Sequence, residues 1–304
     1  AALAQYSTYC DLLLAELGVE PDTTLQALYA QIRDGSPEPL PAPPGGANAL
    51  PVPSHNLPEA PGPFLGRDQA LADIRSWLGD RAVRLVTLAG EGGVGKSRLA
   101  MAAGRQMIGA YPDGVWFVPL VGIATEPKST LPYRMATAVA TAIDFPFARS
   151  DRDADLVTQL YSHLRDKEAL LILDNFEHLR DGAPFVDELL QAAPRCRVLV
   201  TSRQPLRHSD EAVLSIRGLV TPPANAQTPE AVAAFASVQL FVERARRTQP
   251  AYALTAENAP AVAHLCRLVA GSPLALELAA PWVEHFGAAE MVEILERGGF
   301  EFLT

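Results

Sequence analysis

The stretch from Val83 to Ser97 constrains this chain more than any other. Val83-Arg84-Leu85-Val86-Thr87-Leu88-Ala89 is β-branched and apolar with little alternation, as in a strand buried on both faces of a parallel sheet. Gly90-Glu91-Gly92-Gly93-Val94-Gly95-Lys96-Ser97 follows. It meets the pattern G-x-x-x-x-G-K-S/T at Gly90, Gly95, Lys96 and Ser97, with further glycines at 92 and 93. Glycines permit positive φ and let backbone N–H groups close on an anion with no Cβ between. Arg98-Leu99-Ala100-Met101-Ala102-Ala103 then favours a helix. Its unpaired N–H groups and positive dipole end would face the same anion. The expected ligand is a nucleotide, cradled by Gly90, Gly92, Gly93, Val94, Gly95 and Arg98. Lys96 would reach the β- and γ-phosphates, and the Ser97 hydroxyl would ligate Mg²⁺. A glycine-rich turn matching by accident is the alternative, and the flanking strand and helix speak against it.

Composition narrows the partners. Of 304 residues, 48% are hydrophobic and 20% charged, the balance of a globular protein with a real core. No apolar run approaches a membrane span, and no signal peptide opens the sequence, so no membrane partner is expected. A net charge of −10 argues against direct nucleic-acid binding by this piece, which would need surplus Lys and Arg. Cys10, Cys196 and Cys266 are odd in number and far apart, which fits a reducing cytoplasm better than a disulfide framework or a zinc site. The sequence starts without Met inside a helical pattern and stops abruptly at Phe302-Leu303-Thr304, as a fragment of something longer would.

Four regions are expected. Residues 1–35 pattern as a helical hairpin, the end of a helical repeat domain. Gly18 would stop the first helix, Asp22 would cap the second, and Leu25, Leu28, Tyr29 and Ile32 would lie on one face. Residues 36–63 hold 10 prolines and predict an extended linker outside any fold. Residues 64–222 alternate strands with helices, the strands at 83–89, 115–118, 170–173, 198–201 and 213–216. This predicts an α/β domain on a five-stranded parallel sheet. Residues 223–304 predict a helical domain with helices at Ala231–Arg247, Glu257–Val269, Leu274–His285 and Ala288–Arg297, and Pro281 is expected to kink the third.

Other segments fall where a nucleotide would need them. Leu170-Leu171-Ile172-Leu173-Asp174 delivers a carboxylate to the carboxyl edge of the sheet. Two roles are open to Asp174: holding Mg²⁺, or capping the turn after the strand. Thr201-Ser202-Arg203 ends another strand, and the Arg203 guanidinium could fork onto a γ-phosphate or stand solvated. Leu65 could pack on an adenine face or staple the next helix. Pro273, in Gly271-Ser272-Pro273-Leu274-Ala275-Leu276, suits a first helical position whatever its function. Asn175 stands where many fast ATPases carry a second acid, and an amide cannot accept a proton from water. Glu177 could take that role or lie on the surface of a helix. His178 has no ligand partner at metal spacing and fits a solvated helix.

The set Phe64-Leu65-Gly66-Arg67, Gly90–Ser97, Leu173-Asp174-Asn175-Phe176-Glu177-His178, Thr201-Ser202-Arg203 and Gly271–Leu276 resembles the STAND class of signalling ATPases. The nearest branch is the bacterial NB-ARC-like regulators. Residues 1–35 resemble the end of the bacterial transcriptional activation domain that precedes this ATPase in many regulators. The resemblance implies a P-loop NTPase fold and a cytoplasmic switch that holds ADP at rest, opens on exchange for ATP, self-associates and hydrolyses slowly. It places Leu65 and Pro273 about adenine, Lys96 and Ser97 at the phosphates and Mg²⁺, Asp174 at the metal and Arg203 at the γ-phosphate. Lys96, Asp174 and Arg203 would carry the catalytic contacts. DNA binding would come from an upstream domain, and further domains would follow Thr304. Ser272 departs from the pattern, where the family tends to have a bulky apolar residue, and this would thin one wall of the adenine pocket. A P-loop kinase or fast NTPase, and a scaffold that has lost nucleotide binding, are the competing classes.

Lys96→Ala should abolish tight binding of ATP and ADP while leaving the fold intact. A fluorescent-nucleotide titration checks this, and unchanged affinity for both nucleotides overturns the reading of the loop.

Overall fold

The computed structural model describes residues 54–59, 64–146 and 153–298, with the side chains of 153–155 left aside. All belong to one compact unit, Val52–Thr304. The hairpin expected over 1–35, most of the proline-rich stretch and the end of the chain lie outside the described residues. Five strands form one parallel sheet: β1 Leu85–Ala89, β2 Val115–Pro119, β3 Leu170–Asp174, β4 Arg197–Ser202 and β5 Glu211–Ser215. Their order across the sheet is β2-β3-β4-β1-β5. Register is set by Leu85 opposite both Val198 and Glu211, Val115 opposite Leu170, and Leu170 opposite Arg197.

The continuous apolar runs are explained by cores on both faces. Along β3, Leu171 and Leu173 enter one core while Leu170 and Ile172 enter the other. Val198 and Val200 of β4 join the first, and Leu199 joins the second. The first core is completed by α3 Leu131–Ala142, α4 Asp153–Leu164 and α5 Ala183–Ala192. On the opposite face α1 Asp68–Gly79 contributes Leu71, Ile74 and Leu78, and α2 Lys96–Met107 contributes Leu99, Ala100 and Ala103. A period of two along strands buried on both sides leaves no polar face to read.

The stretch 36–63 was expected to stand outside the fold, and residues 54–59 correct this. His55 bridges Val115 in parallel, Val115 N–H donates to Ser54 O at 3.1 Å, and the Asn56 side chain bonds both backbone groups of Phe117. Leu57 is buried in the second sheet core. An edge strand carries a row of unpaired backbone groups, and this segment covers that of β2. Proline density hid it, because Ser54 to Leu57 is the proline-free interval that can pair.

After the sheet, a third core is built mainly from helices. The helix expected over Ala231–Arg247 is two, α6 Pro229–Ala233 and α7 Ala236–Thr248. Phe235 takes extended backbone between them and packs against this core. The next helix is α8 Ala259–Leu268. Helix α9, Pro273–Ala279, passes into a 3₁₀ turn over Ala280–Glu284, the distortion expected of Pro281. Helix α10 covers Ala288–Gly298. Among the described residues no helix is long and apolar enough to cross a membrane.

The helical core meets the sheet through backbone. Leu219 N–H donates to Gly271 O at 2.7 Å, and Gly271 has φ +64. A Cβ at Gly271 would overlap the Leu219 carbonyl. Gly271→Ala should therefore cost about 2–4 kcal/mol, combining a left-handed backbone with overpacking. Gly79→Ala, where a Cβ meets nothing within 4 Å, should change stability by less than about 1 kcal/mol. Chemical denaturation of both variants checks this, and equal stabilities overturn it.

Candidate nucleotide-binding site

The sheet order puts β1 between β4 and β5 while β2 and β3 lie on the far side, so the chain reverses direction across the sheet at β1. In open parallel sheets, ligands settle at the carboxyl ends of strands beside such a reversal. The loop after β1, Asp174 at the end of β3 and Arg203 just past β4 all lie there. Gly93 and Gly95 hold φ values of +78 and +92, the conformations that glycine is needed for. Gly95 is the residue before α2, and Leu99 N–H returns to Gly95 O at 3.0 Å. Gly90 is pinned by its N–H to Ser202 O, and a Cβ there would strike the Ile216 carbonyl.

Lys96 is 8% exposed, and its ammonium donates to Gly90 O at 2.9 Å and Glu91 O at 2.8 Å. Burial lowers its pKa, the Glu177 and Asp174 carboxylates oppose that, and Arg203 adds to it. Lys96, Asp174, Glu177 and Arg203 thus share one electrostatic neighbourhood. The sequence could not order them, because they come from three separate strand ends.

Asp174 is oriented by Thr201. The Thr201 hydroxyl donates to Asp174 Oδ1 at 2.6 Å and accepts from Asn175 N–H at 2.9 Å. In the sequence Thr201 stands only as the lead-in to Arg203, and its one signal there is a hydroxyl closing the apolar run Val198-Leu199-Val200. Asn175 has φ 65 and ψ 52, a left-handed conformation that Asn tolerates better than most residues. That turn starts a 3₁₀ segment, Phe176–His178, and swings Glu177 back towards the loop. Glu177 accordingly lines the cavity instead of a helix surface, its Oε1 lying 3.4 Å from Arg203 Nε. His178 is exposed.

Two cavities flank the loop. One of about 490 Å³ is lined by Lys96, Ser97, Arg98, Glu177, Thr201 and Pro273, among others. The other, of about 1050 Å³, takes in Gly90, Gly92, Val94, Arg203, Ile216 and Leu274. Helix α9 stands between them. Leu274 N–H donates to Gly93 O at 3.1 Å, and a Cβ at Gly93 would come within 2.9 Å of Leu274 Cβ. Ser272 caps α9 by accepting from Ala275 N–H, and its hydroxyl lies 3.5 Å from Gly93 O. A hydroxyl at this position therefore ties the helix to the loop, which a bulky apolar residue could not do. Leu65 lines neither cavity and packs against the helical core. Arg67, which closes the Phe64–Arg67 motif but had no role assigned from the sequence, donates to Val94 O at 2.9 Å and Arg217 O at 2.7 Å. Arg244 reaches the smaller cavity from α7, held by Glu277 at 2.8 Å.

The groups present suit a nucleotide phosphate. Gly93 and Gly95 hold the left-handed backbone of the loop, and a buried ammonium lies at its base. Among the described residues no cluster of three or more His, Cys, Asp or Glu could hold an ion alone.

Comparison with known proteins agrees with this geometry. The NB-ARC domain family model matches residues 67–207. An uncharacterised protein of Mycobacterium tuberculosis is 32% identical over 230 residues, covering 75% of this chain and 53% of that protein. A putative HTH-type transcriptional regulator of the same organism is 37% identical over 218 residues, covering 70% of this chain and 22% of the regulator. The chain thus spans about half the length of the first relative and about a fifth of the second. A solved STAND protein with a tetratricopeptide repeat sensor from Pyrococcus horikoshii is 20% identical, with a TM-score of 0.44 over 75% of this chain and 31% of that one.

Thr201→Val should leave Asn175 N–H and Asp174 short of a partner and cost about 1–3 kcal/mol, while Thr201→Ser should keep most of that stability. Unfolding midpoints of the two variants check this; equal losses would mean that the methyl packing, not the hydroxyl, holds the turn. The phosphate loop, the parallel sheet with its acid at the end of β3, and the family match over 67–207 together identify residues 67–207 as an NB-ARC domain.

Proposed function

We propose that this chain is an ATP/ADP-operated switch of a cytoplasmic transcriptional regulator, with slow hydrolysis resetting it. The observation that carries the reading is the seat of α9 on the phosphate loop, through Leu274 N–H to Gly93 O at 3.1 Å and Pro273 Cγ at 3.8 Å from a Cβ on Gly95. Anything bound at the loop must touch both the sheet and the helical part, so its chemistry is felt by their junction. Lys96 would hold the β- and γ-phosphates, with the backbone donors of Gly92, Gly93, Val94 and Gly95 and the side of Arg98 completing the cradle, while Gly90 anchors the loop's start through its N–H to Ser202 O. Mg²⁺ would be shared between the phosphates, Ser97 and Asp174. Bound there, the metal would neutralise charge on the phosphates.

A switch requires unequal contacts in its two states, because a ligand with equal affinity for both shifts nothing. Arg203 supplies the inequality: it lies beside Gly92 and would meet a γ-phosphate that ADP lacks. Pro273 lines the same cavity as Lys96 and Ser97, while Leu65 supports it indirectly by packing into the helical core. DNA binding through an upstream domain, on the strength of the HTH-type regulator among the relatives, and self-association in the ATP state, which the family resemblance implies, complete the proposal.

Arg203→Ala should weaken binding of an ATP analogue by about 1–3 kcal/mol, the range of a charge-assisted hydrogen bond, and leave ADP nearly unchanged. Pro273→Ala should weaken both nucleotides alike. Paired titrations of the two variants decide it, and a loss of ADP binding by Arg203→Ala as large as the loss of ATP removes γ-phosphate sensing from this residue.

A further inference from the structure

We propose that Glu177 is the base that takes a proton from the water attacking the γ-phosphate, and that its ion pair with Arg203 withholds it until a γ-phosphate draws the guanidinium away. This rests on the nucleotide-switch reading above.

Elimination among the described acids of the cavity leads to Glu177. Glu277 is held by Arg244 at 2.8 Å and Arg98 at 4.0 Å, and Glu59 is exposed. Asp174, at the strand end behind them, is engaged by Thr201, and Asn175 is an amide, which cannot accept a proton. Glu177 is placed differently. Its side chain is 22% exposed, Oε1 lies 3.4 Å from Arg203, and Oε2 is buried with no hydrogen-bond partner. A buried carboxylate oxygen without a donor is poised to accept one. Of the charges around Lys96, that of Glu177 acts most strongly on it, which adds to the shared cavity lining of the two side chains.

The pair with Arg203 is weak by construction. The Arg203 side chain is 66% exposed, and exposed ion pairs contribute little. A γ-phosphate offers several charged oxygens in place of one and would outbid the carboxylate for the guanidinium. In the step that follows, Glu177 accepts a proton from water as the water oxygen bonds to the γ-phosphorus. The bond from that phosphorus to the bridging oxygen breaks, and its electron pair leaves with ADP. Inorganic phosphate departs, and Glu177 returns its proton to solvent. ADP offers no γ-phosphate, so with ADP the pair stays closed.

A double-mutant cycle on this chain tests both parts, using Glu177→Gln, Arg203→Ala and the double variant. The readouts are titrations with a fluorescent non-hydrolysable ATP analogue and with fluorescent ADP, each with Mg²⁺, and single-turnover phosphate release from ATP. Glu177→Gln should bind the ATP analogue about twofold to fivefold more tightly, the worth of an exposed ion pair, and bind ADP unchanged. In the Arg203→Ala background the same substitution should alter neither affinity. Phosphate release by Glu177→Gln should fall at least about 100-fold, as for loss of a general base. Unchanged affinity of Glu177→Gln for the analogue, or an equal gain without Arg203, overturns the pairing. Release at the original rate, or an unaltered chain that binds ATP and releases no phosphate, overturns the base. An unaltered chain that binds neither nucleotide overturns the switch reading itself.

Discussion

The contact on which the rest of the molecule depends is backbone against backbone. The segment leading into α9 meets the phosphate loop and the chain leaving β5 so closely that side chains are excluded at Gly93, Gly218 and Gly271. Leu219 N–H to Gly271 O and Leu274 N–H to Gly93 O fix the junction with two hydrogen bonds. Because both partners are main chain, small shifts on one side cannot be absorbed by rotamer changes on the other. Close-packed contacts of this kind have discrete arrangements instead of sliding continuously, which a switch requires.

Around that junction, charge is arranged so that several groups wait on one ligand. Lys96 is buried against two loop carbonyls, Asp174 is set by Thr201, and Arg203 rests on Glu177. Arg244 comes from the helical side and is restrained by Glu277. Each cation already has an acceptor, so phosphate oxygens would replace existing bonds and would not simply add to them. Replacement is what couples binding to movement, because each displaced partner must find a new position.

Much of the fold was legible in the sequence. The buried parallel strands were readable as apolar runs because strands covered on both faces have no polar side to interrupt them, as Leu170-Leu171-Ile172-Leu173 illustrates. The kink at Pro281 followed from a missing N–H. Less visible was the break at Phe235, since an aromatic that turns inward looks the same in sequence as one that continues a helix. The pairing of Ser54–Leu57 with β2 was hidden by the prolines around it, for composition averages over a window wider than the segment that pairs.

The loop from Gly90 to Ser97 determined the ligand class unaided, because its chemistry is local: adjacent glycines, a lysine and a hydroxyl act within one turn of chain. Asp174 was visible for the same reason, as an acid closing an apolar run. What tertiary structure alone decided was which distant residues face that loop. Thr201 meets Asp174 across 27 positions of sequence, Ser272 meets Gly93 across 179, and Glu177 is turned inward by the single left-handed backbone of Asn175. A side chain's propensity is written in its own neighbours, but its partner is chosen by the order of strands in the sheet, and that order is a property of the packed whole.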